Sequence, residues 1–89
     1  MVRARLLISG IVQGVGYRWS CRREAQGLGL TGWVRNLPDG RVEALLQGTR
    51  EQVDRMIKWC YRGPEEARVS EIAVTPEEAA DEFPDFGIR

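Results

Sequence analysis

Apolar and polar positions alternate at the start of the chain: Val2, Ala4, Leu6 and Ile8 share one face, Arg3, Arg5 and Ser9 the other. A period of two predicts a half-buried strand over 2–9. The glycine-rich stretch Gly10 to Gly16 cannot continue it well. From Tyr17 the period lengthens: Cys21, Ala25 and Leu28 recur at helical spacing between Arg22, Arg23, Glu24 and Gln26. This predicts a helix over about 18–28, stopped by Gly29, with Arg18 at its N-terminus. Trp33 and Val34 mark a strand within 31–37, and Val42, Ala44 and Leu46 alternate within 41–47. Between them Pro38-Asp39-Gly40 is a turn, since proline presets φ and glycine accepts a positive one, so the two runs form a hairpin.

Thr49-Arg50-Glu51-Gln52 has the form of a capping box, a hydroxyl followed three residues later by a glutamine. Val53, Met56, Ile57 and Cys60 then follow at helical spacing, up to a stop at Gly63-Pro64. Val69, Ile72 and Val74 give a fourth strand over 67–75, with the broken alternation that a bulge would make. Residues 76–82 are acidic and expected to be loop, and Phe86 and Ile88 suggest a short edge strand within 83–89. The order is β-α-β-β-α-β with a fifth strand added. Right-handed crossovers turn that order into an α+β, ferredoxin-like split βαβ sandwich: one antiparallel sheet of four to five strands with both helices on one face.

Composition narrows what such a domain does. Eighty-nine residues make one domain, 1–89, not two. Thirteen basic residues balance thirteen acidic ones, which argues against a general nucleic-acid binder and requires any anion site to be local. No apolar run approaches a membrane span, and the short apolar stretch before Gly10 lacks the length and cleavage site of a signal peptide. The expected setting is cytoplasmic. There is no histidine anywhere. That excludes Ser/His and Cys/His nucleophile pairs, an imidazole base and His-ligated metals. Two cysteines, Cys21 and Cys60, fit neither a disulfide scaffold nor a zinc site. Each lies on an apolar stripe near the same end of the helical layer. A reducing compartment argues for free thiols, but the sequence leaves a disulfide between them open.

The glycine loop stands where a strand ends and a helix begins. Successive backbone N–H groups there can converge on an anion, and the helix dipole favours it. Arg18 adds a planar fork of donors matched to two phosphoryl oxygens. A cation in the first helical turn otherwise opposes the dipole, a conflict that a bound anion removes. On the pattern alone, a plain glycine turn beside a surface arginine explains the segment as well. Asn36 likewise reads either as a turn residue beside Pro38-Asp39-Gly40 or as an amide able to orient a water. Gly27-Leu28-Gly29-Leu30-Thr31-Gly32 matches G-x-G-x-x-G but sits at a helix end, where the dinucleotide-binding mechanism does not apply.

Gly10-Ile11-Val12-Gln13-Gly14-Val15-Gly16-Tyr17-Arg18 after the first strand, followed by Gly32-Trp33-Val34-Arg35-Asn36 and the Asp39-Gly40 turn, resembles the acylphosphatase family. Gln47-Gly48, Gly63-Pro64, Ala67-Arg68-Val69 and Phe86-Gly87-Ile88-Arg89 extend the resemblance over essentially the whole chain. It implies a ferredoxin-like fold and hydrolysis of acyl phosphates, such as acetyl, carbamoyl or benzoyl phosphate, to carboxylate and inorganic phosphate. It implies that Arg18 and the amides of Gln13, Gly14, Val15, Gly16, Tyr17 and Arg18 bind the phosphoryl group, and that Asn36 positions the attacking water. Ile11 departs from the arginine or polar residue frequent in the family at that place, which removes a charge beside the loop but touches neither catalytic position.

Such chemistry needs no histidine, because a carboxylate is a good leaving group. Holding the phosphoryl oxygens, neutralising charge and placing a water in line are what remain. No metal or other cofactor is expected, and the expected partners are a small acyl phosphate and phosphate, with the chain a monomer. The alternative is a non-catalytic phosphate or carbamoyl-phosphate binding module, against which the intact Arg18 and Asn36 pair stands. An RNA-recognition module shares the element order but carries aromatics on its two central strands, where this chain has none. Trp19, Trp33 and Trp59 are therefore expected in core and rim packing. Glu77, Glu78, Asp81, Glu82 and Asp85 are expected to be a solvated acidic segment rather than a metal site.

Overall fold

The structure, a computed structural model, describes residues 1–79 and 82–89. Its elements are β1 (Val2–Ile11), α1 (Tyr17–Gly27), β2 (Thr31–Asn36), β3 (Val42–Gly48), α2 (Arg50–Arg62), β4 (Arg68–Glu77) and β5 (Phe86–Ile88). They form one sheet in the order β4-β1-β3-β2-β5. The four longer strands pair antiparallel, with Leu6 opposite Ala44 and Val34 opposite the same Ala44.

Two expectations change. The sheet is mixed, because β5 pairs parallel with β2. The chain leaves β4 at one edge and reverses before reaching the other, so it arrives running in the direction of β2. β4 also continues to Glu77, into the segment expected to be loop, and includes Pro76. An edge strand tolerates a proline because its outer N–H groups have no ladder to serve. The predicted bulge is present: Ser9 opposes Glu71 and Gly10 opposes Val69, which leaves Ser70 as the extra residue. Asp81, of the acidic segment, lies outside the described residues.

The helix-facing side of the sheet carries Ala4, Leu6, Ile8, Val34, Val42, Ala44, Leu46 and Phe86, all buried. Tyr17, Cys21 and Ala25 of α1 and Val53, Met56 and Cys60 of α2 pack onto them. The capping box of α2 is formed in both directions: the Gln52 N–H donates to Thr49 Oγ1 at 3.2 Å and the Thr49 N–H to Gln52 Oε1 at 2.8 Å. Cys21 and Cys60 are free thiols, both buried. Hydrogen bonding to Cys60, then burial, pushes the Cys21 thiol well above its ordinary pKa.

The other side of the sheet has no helix, and polar side chains cover it. Arg5 donates to Glu43 and Glu77, both at 2.5 Å, and Arg35 donates to Glu43 at 2.6 Å. Arg35 and Glu43 are direct cross-strand partners, and Arg5 reaches its two carboxylates on the diagonals. Burial alone would raise the Glu43 pKa, but hydrogen bonds from Arg5 and Arg35 outweigh it and hold the carboxyl below its usual range. Trp33 is buried here, with the guanidinium groups of Arg5, Arg35 and Arg89 within 5.9, 5.2 and 4.9 Å of its ring centre. Trp59 is half-buried on the helical side, as rim packing predicts. Trp19 differs from expectation: it is 55% exposed.

Candidate active site

α1 begins without a side-chain cap and without an acidic residue in its first turn. Its N-cap is Gly16, with φ 76°. Gly14 has φ 75°, and a Cβ at either position would meet nothing within 4 Å. These glycines are therefore required by backbone conformation rather than by crowding, and the space above them is open to a ligand. The first bond of the helix runs from the Ser20 N–H to the Gly16 carbonyl, at 3.1 Å. The N–H groups of Gly16, Tyr17, Arg18 and Trp19 precede it and have no acceptor within the helix.

A hollow of about 220 Å³ lies over this turn. Gln13, Gly14, Gly16, Tyr17 and Arg18 line it from the loop, and Asn36 from the end of β2. Register explains the meeting. Gly32, Val34 and Asn36 alternate onto the helix-facing side of β2, opposite Leu46, Ala44 and Val42. The last of these inward positions falls beyond the packed core, beneath the start of α1, and it is an amide instead of an apolar side chain. Arg18 is half-buried and forms no ion pair or hydrogen bond among the described residues. Asn36 Oδ1 is the one side-chain polar atom among the described residues that is buried without a partner. Leaving such an acceptor dry costs about 1–3 kcal/mol, and a water or ligand donor in the hollow removes that cost.

The loop residues divide by what their side chains do. The Gln13 amide nitrogen is engaged, donating to the carbonyls of Leu37, at 2.8 Å, and Arg41, at 2.9 Å. Those carbonyls belong to the turn between β2 and β3, so Gln13 ties the loop to the hairpin that carries Asn36. Tyr17 points into the core, where its hydroxyl donates to the Cys60 carbonyl at 2.7 Å and its ring lies 5.7 Å from that of Trp59. Burial, then the neighbouring cysteines, push its phenol far above the usual tyrosine range, so it stays a neutral donor. Gln13 and Tyr17 have only main-chain groups to offer an anion. Val15 does not line the hollow; its side chain packs against the core.

Three lining residues were not foreseen: Val12, Trp19 and Ile88. Val12 and Trp19 flank residues already singled out. Ile88 enters because β5 pairs with β2 so that Ile88 lies beside Val34, two residues before Asn36.

The acylphosphatase family model matches residues 4–88. The chain belongs to the acylphosphatase family. The acylphosphatase of Acaryochloris marina is 58% identical over 84 residues, which span 94% of this chain and 89% of that protein. The acylphosphatase of Aeropyrum pernix is 56% identical over 90 residues, 100% of this chain and 89% of the other. The crystal structure of acylphosphatase from Bacillus subtilis superposes with a TM-score of 0.97 at 34% identity, covering 100% of this chain and 99% of that one. Acylphosphatases hydrolyse acyl phosphates, and this chain is an acyl phosphate hydrolase with the family's ferredoxin-like fold.

Proposed function

We propose that Arg18 and the amides of the Gln13–Arg18 loop hold the phosphoryl group, and that Asn36 holds the water that attacks it. The observation that carries this reading is the unpartnered, buried Asn36 Oδ1 in the hollow that also contains Arg18. An acceptor there receives a hydrogen bond from one O–H of a water and so aims the water's lone pair at phosphorus. The water oxygen bonds to phosphorus and the bond from phosphorus to the acyl oxygen breaks. The carboxylate leaves with that electron pair, and the water's proton passes to a phosphoryl oxygen. Arg18 and the helix N-terminus spread the negative charge while this happens.

Among the described residues no carboxylate, imidazole or thiolate lines the hollow, so its donor set suits an anion and not a divalent cation. The reaction is accordingly metal-independent and proceeds by direct water attack. No helix among the described residues is long and apolar enough to cross a membrane. Balanced charge and two buried free thiols fit a one-domain, monomeric, cytoplasmic enzyme acting on small molecules rather than on nucleic acid.

The test is Asn36→Ala, assayed on benzoyl phosphate in EDTA with inorganic phosphate as competitive inhibitor. The wild type turns over in EDTA, and the variant loses at least about a hundredfold in kcat. The inhibition constant of phosphate changes by less than about twofold, because its holders are untouched. Undiminished turnover in the variant, or loss of phosphate binding together with turnover, overturns the assignment.

A further inference from the structure

A second, larger groove of about 810 Å³ lies between the start of α1, the end of α2 and the segment before β4. Trp19 is the residue that lines both this groove and the phosphoryl hollow. Trp59 forms part of its floor, and Arg23, Arg62 and Arg68 stand around it. The volume is in the range that takes a drug-sized molecule, far more than a phosphoryl group requires.

The charges in this groove are not spent on the protein. Arg62 has no ion pair or hydrogen bond among the described residues. Arg23 lies 5.6 Å from the Trp19 ring centre and has no carboxylate partner there. Arg68 uses Nη1 on the carbonyls of Glu65 and Ala67, at 3.2 and 2.9 Å, which leaves Nε and Nη2 without acceptors among the described residues. Glu24 and Glu65 also border the groove, but neither forms an ion pair with these arginines. An exposed indole with free guanidinium groups beyond it matches a flat or extended chain that ends in an anion.

We infer that this groove is the acyl-group subsite, and that it favours acyl phosphates whose acyl part carries a second anionic group, a carboxylate or a phosphonate or phosphate. The inference rests on the placement of the phosphoryl group in the Gln13–Arg18 loop, because only then does Trp19 face the acyl side. Arg62 receives the second anion, with Arg23 and Arg68 adding to the field. The reaction at phosphorus is unchanged; the groove alters which acyl groups arrive well bound.

The test compares non-hydrolysable benzoylphosphonates, in which a direct carbon–phosphorus bond replaces the carbon–oxygen–phosphorus anhydride link, by calorimetry on the full chain. The 4-carboxy and 4-phosphono compounds are each set against the 4-methyl compound, which has similar size and no second charge. Both charged ligands are expected to bind about fivefold more tightly, the upper end for exposed ion pairs. Preference for one of them alone identifies which anion the groove takes. Arg62→Gln is expected to remove most of the preference and Arg62→Lys to keep most of it. Equal affinity for all three ligands in the wild type, or a preference that survives Arg62→Gln, overturns the inference. Because binding is read without turnover, failure of the catalytic assignment shows separately, as inactivity on benzoyl phosphate with the affinity ratio intact.

Discussion

On the open face of the sheet, Arg5 and Arg35 share the Glu43 carboxylate, Arg5 also holds Glu77, and Arg89 lies over Trp33 and Phe83. Across the sheet, at the start of α1, Arg18 has no such company among the described residues, and the buried Asn36 oxygen near it has no donor. One face is electrostatically closed and the other is left open. The side chains are of the same kinds, so the difference lies in placement. A cross-strand register puts glutamate opposite arginine on one face. On the other, the chain supplies a helix N-terminus and an amide, both of which want something from outside. Saturated charges hold the fold together, and unsaturated ones await a ligand.

That comparison breaks most sharply at Arg18. Arg18→Ala is expected to lower kcat/KM for benzoyl phosphate by about a thousandfold, the lower end for removing a phosphoryl-binding arginine, and to abolish competitive inhibition by phosphate. Chemical denaturation should show stability within about 0.5 kcal/mol of wild type, because Arg18 has no partner to lose. A variant that loses stability instead would place Arg18 with the structural arginines.

Glu43→Gln tests the closed face. It is expected to cost about 2 kcal/mol at neutral pH, since it weakens charged hydrogen bonds to Arg5 and Arg35, and to leave kcat unchanged. The Glu43 pKa is depressed in the folded protein. Its stabilisation is therefore complete above the unfolded value of about 4.3 and is lost as pH falls through the lower folded value. The stability gap between wild type and variant should accordingly narrow below about pH 4. A gap that stays constant down to pH 2 would show that the carboxylate charge does not hold this face.

The smallest effect is expected at the strut between the faces. Gln13→Ala removes two hydrogen bonds to the hairpin turn, made by an amide nitrogen that is already engaged there, and keeps the main-chain N–H. The expected loss is about 1 kcal/mol of stability with a severalfold fall in kcat, read from the same assays. A fall as large as that at Arg18 would mean that the Gln13 amide itself touches substrate.

The two regions also differ in how far the sequence discloses them. The order of strands and helices is legible because periods of two and 3.6 are local, and Thr49 and Gln52 announce their cap three residues apart. Arg18 is legible as an anion ligand in waiting, since its conflict with the helix dipole is a local matter. The Arg5, Glu43 and Arg35 cluster is not, because it depends on which residues of three strands fall opposite one another. The parallel pairing of β5 is not either: three residues carry too little pattern to name a neighbour, and with it went the place of Ile88. Trp19 misleads because its bulk suggests burial, while its position next to Arg18 puts it at the mouth of the site. The want of a partner at Asn36 Oδ1 is a property of the packed fold alone; a sequence shows an asparagine near a turn and no more.

The bond from the Tyr17 hydroxyl to the Cys60 carbonyl has a mechanical consequence. The loop is mounted at three places: by its own chain on β1, by Gln13 on the hairpin, and by Tyr17 on the last turn of α2. Three supports fix a rigid part in a frame, and each comes from a different piece of the architecture. Loss of one leaves the other two in place, so damage at a single support is expected to reach the Gln13–Arg18 loop as graded misalignment rather than collapse.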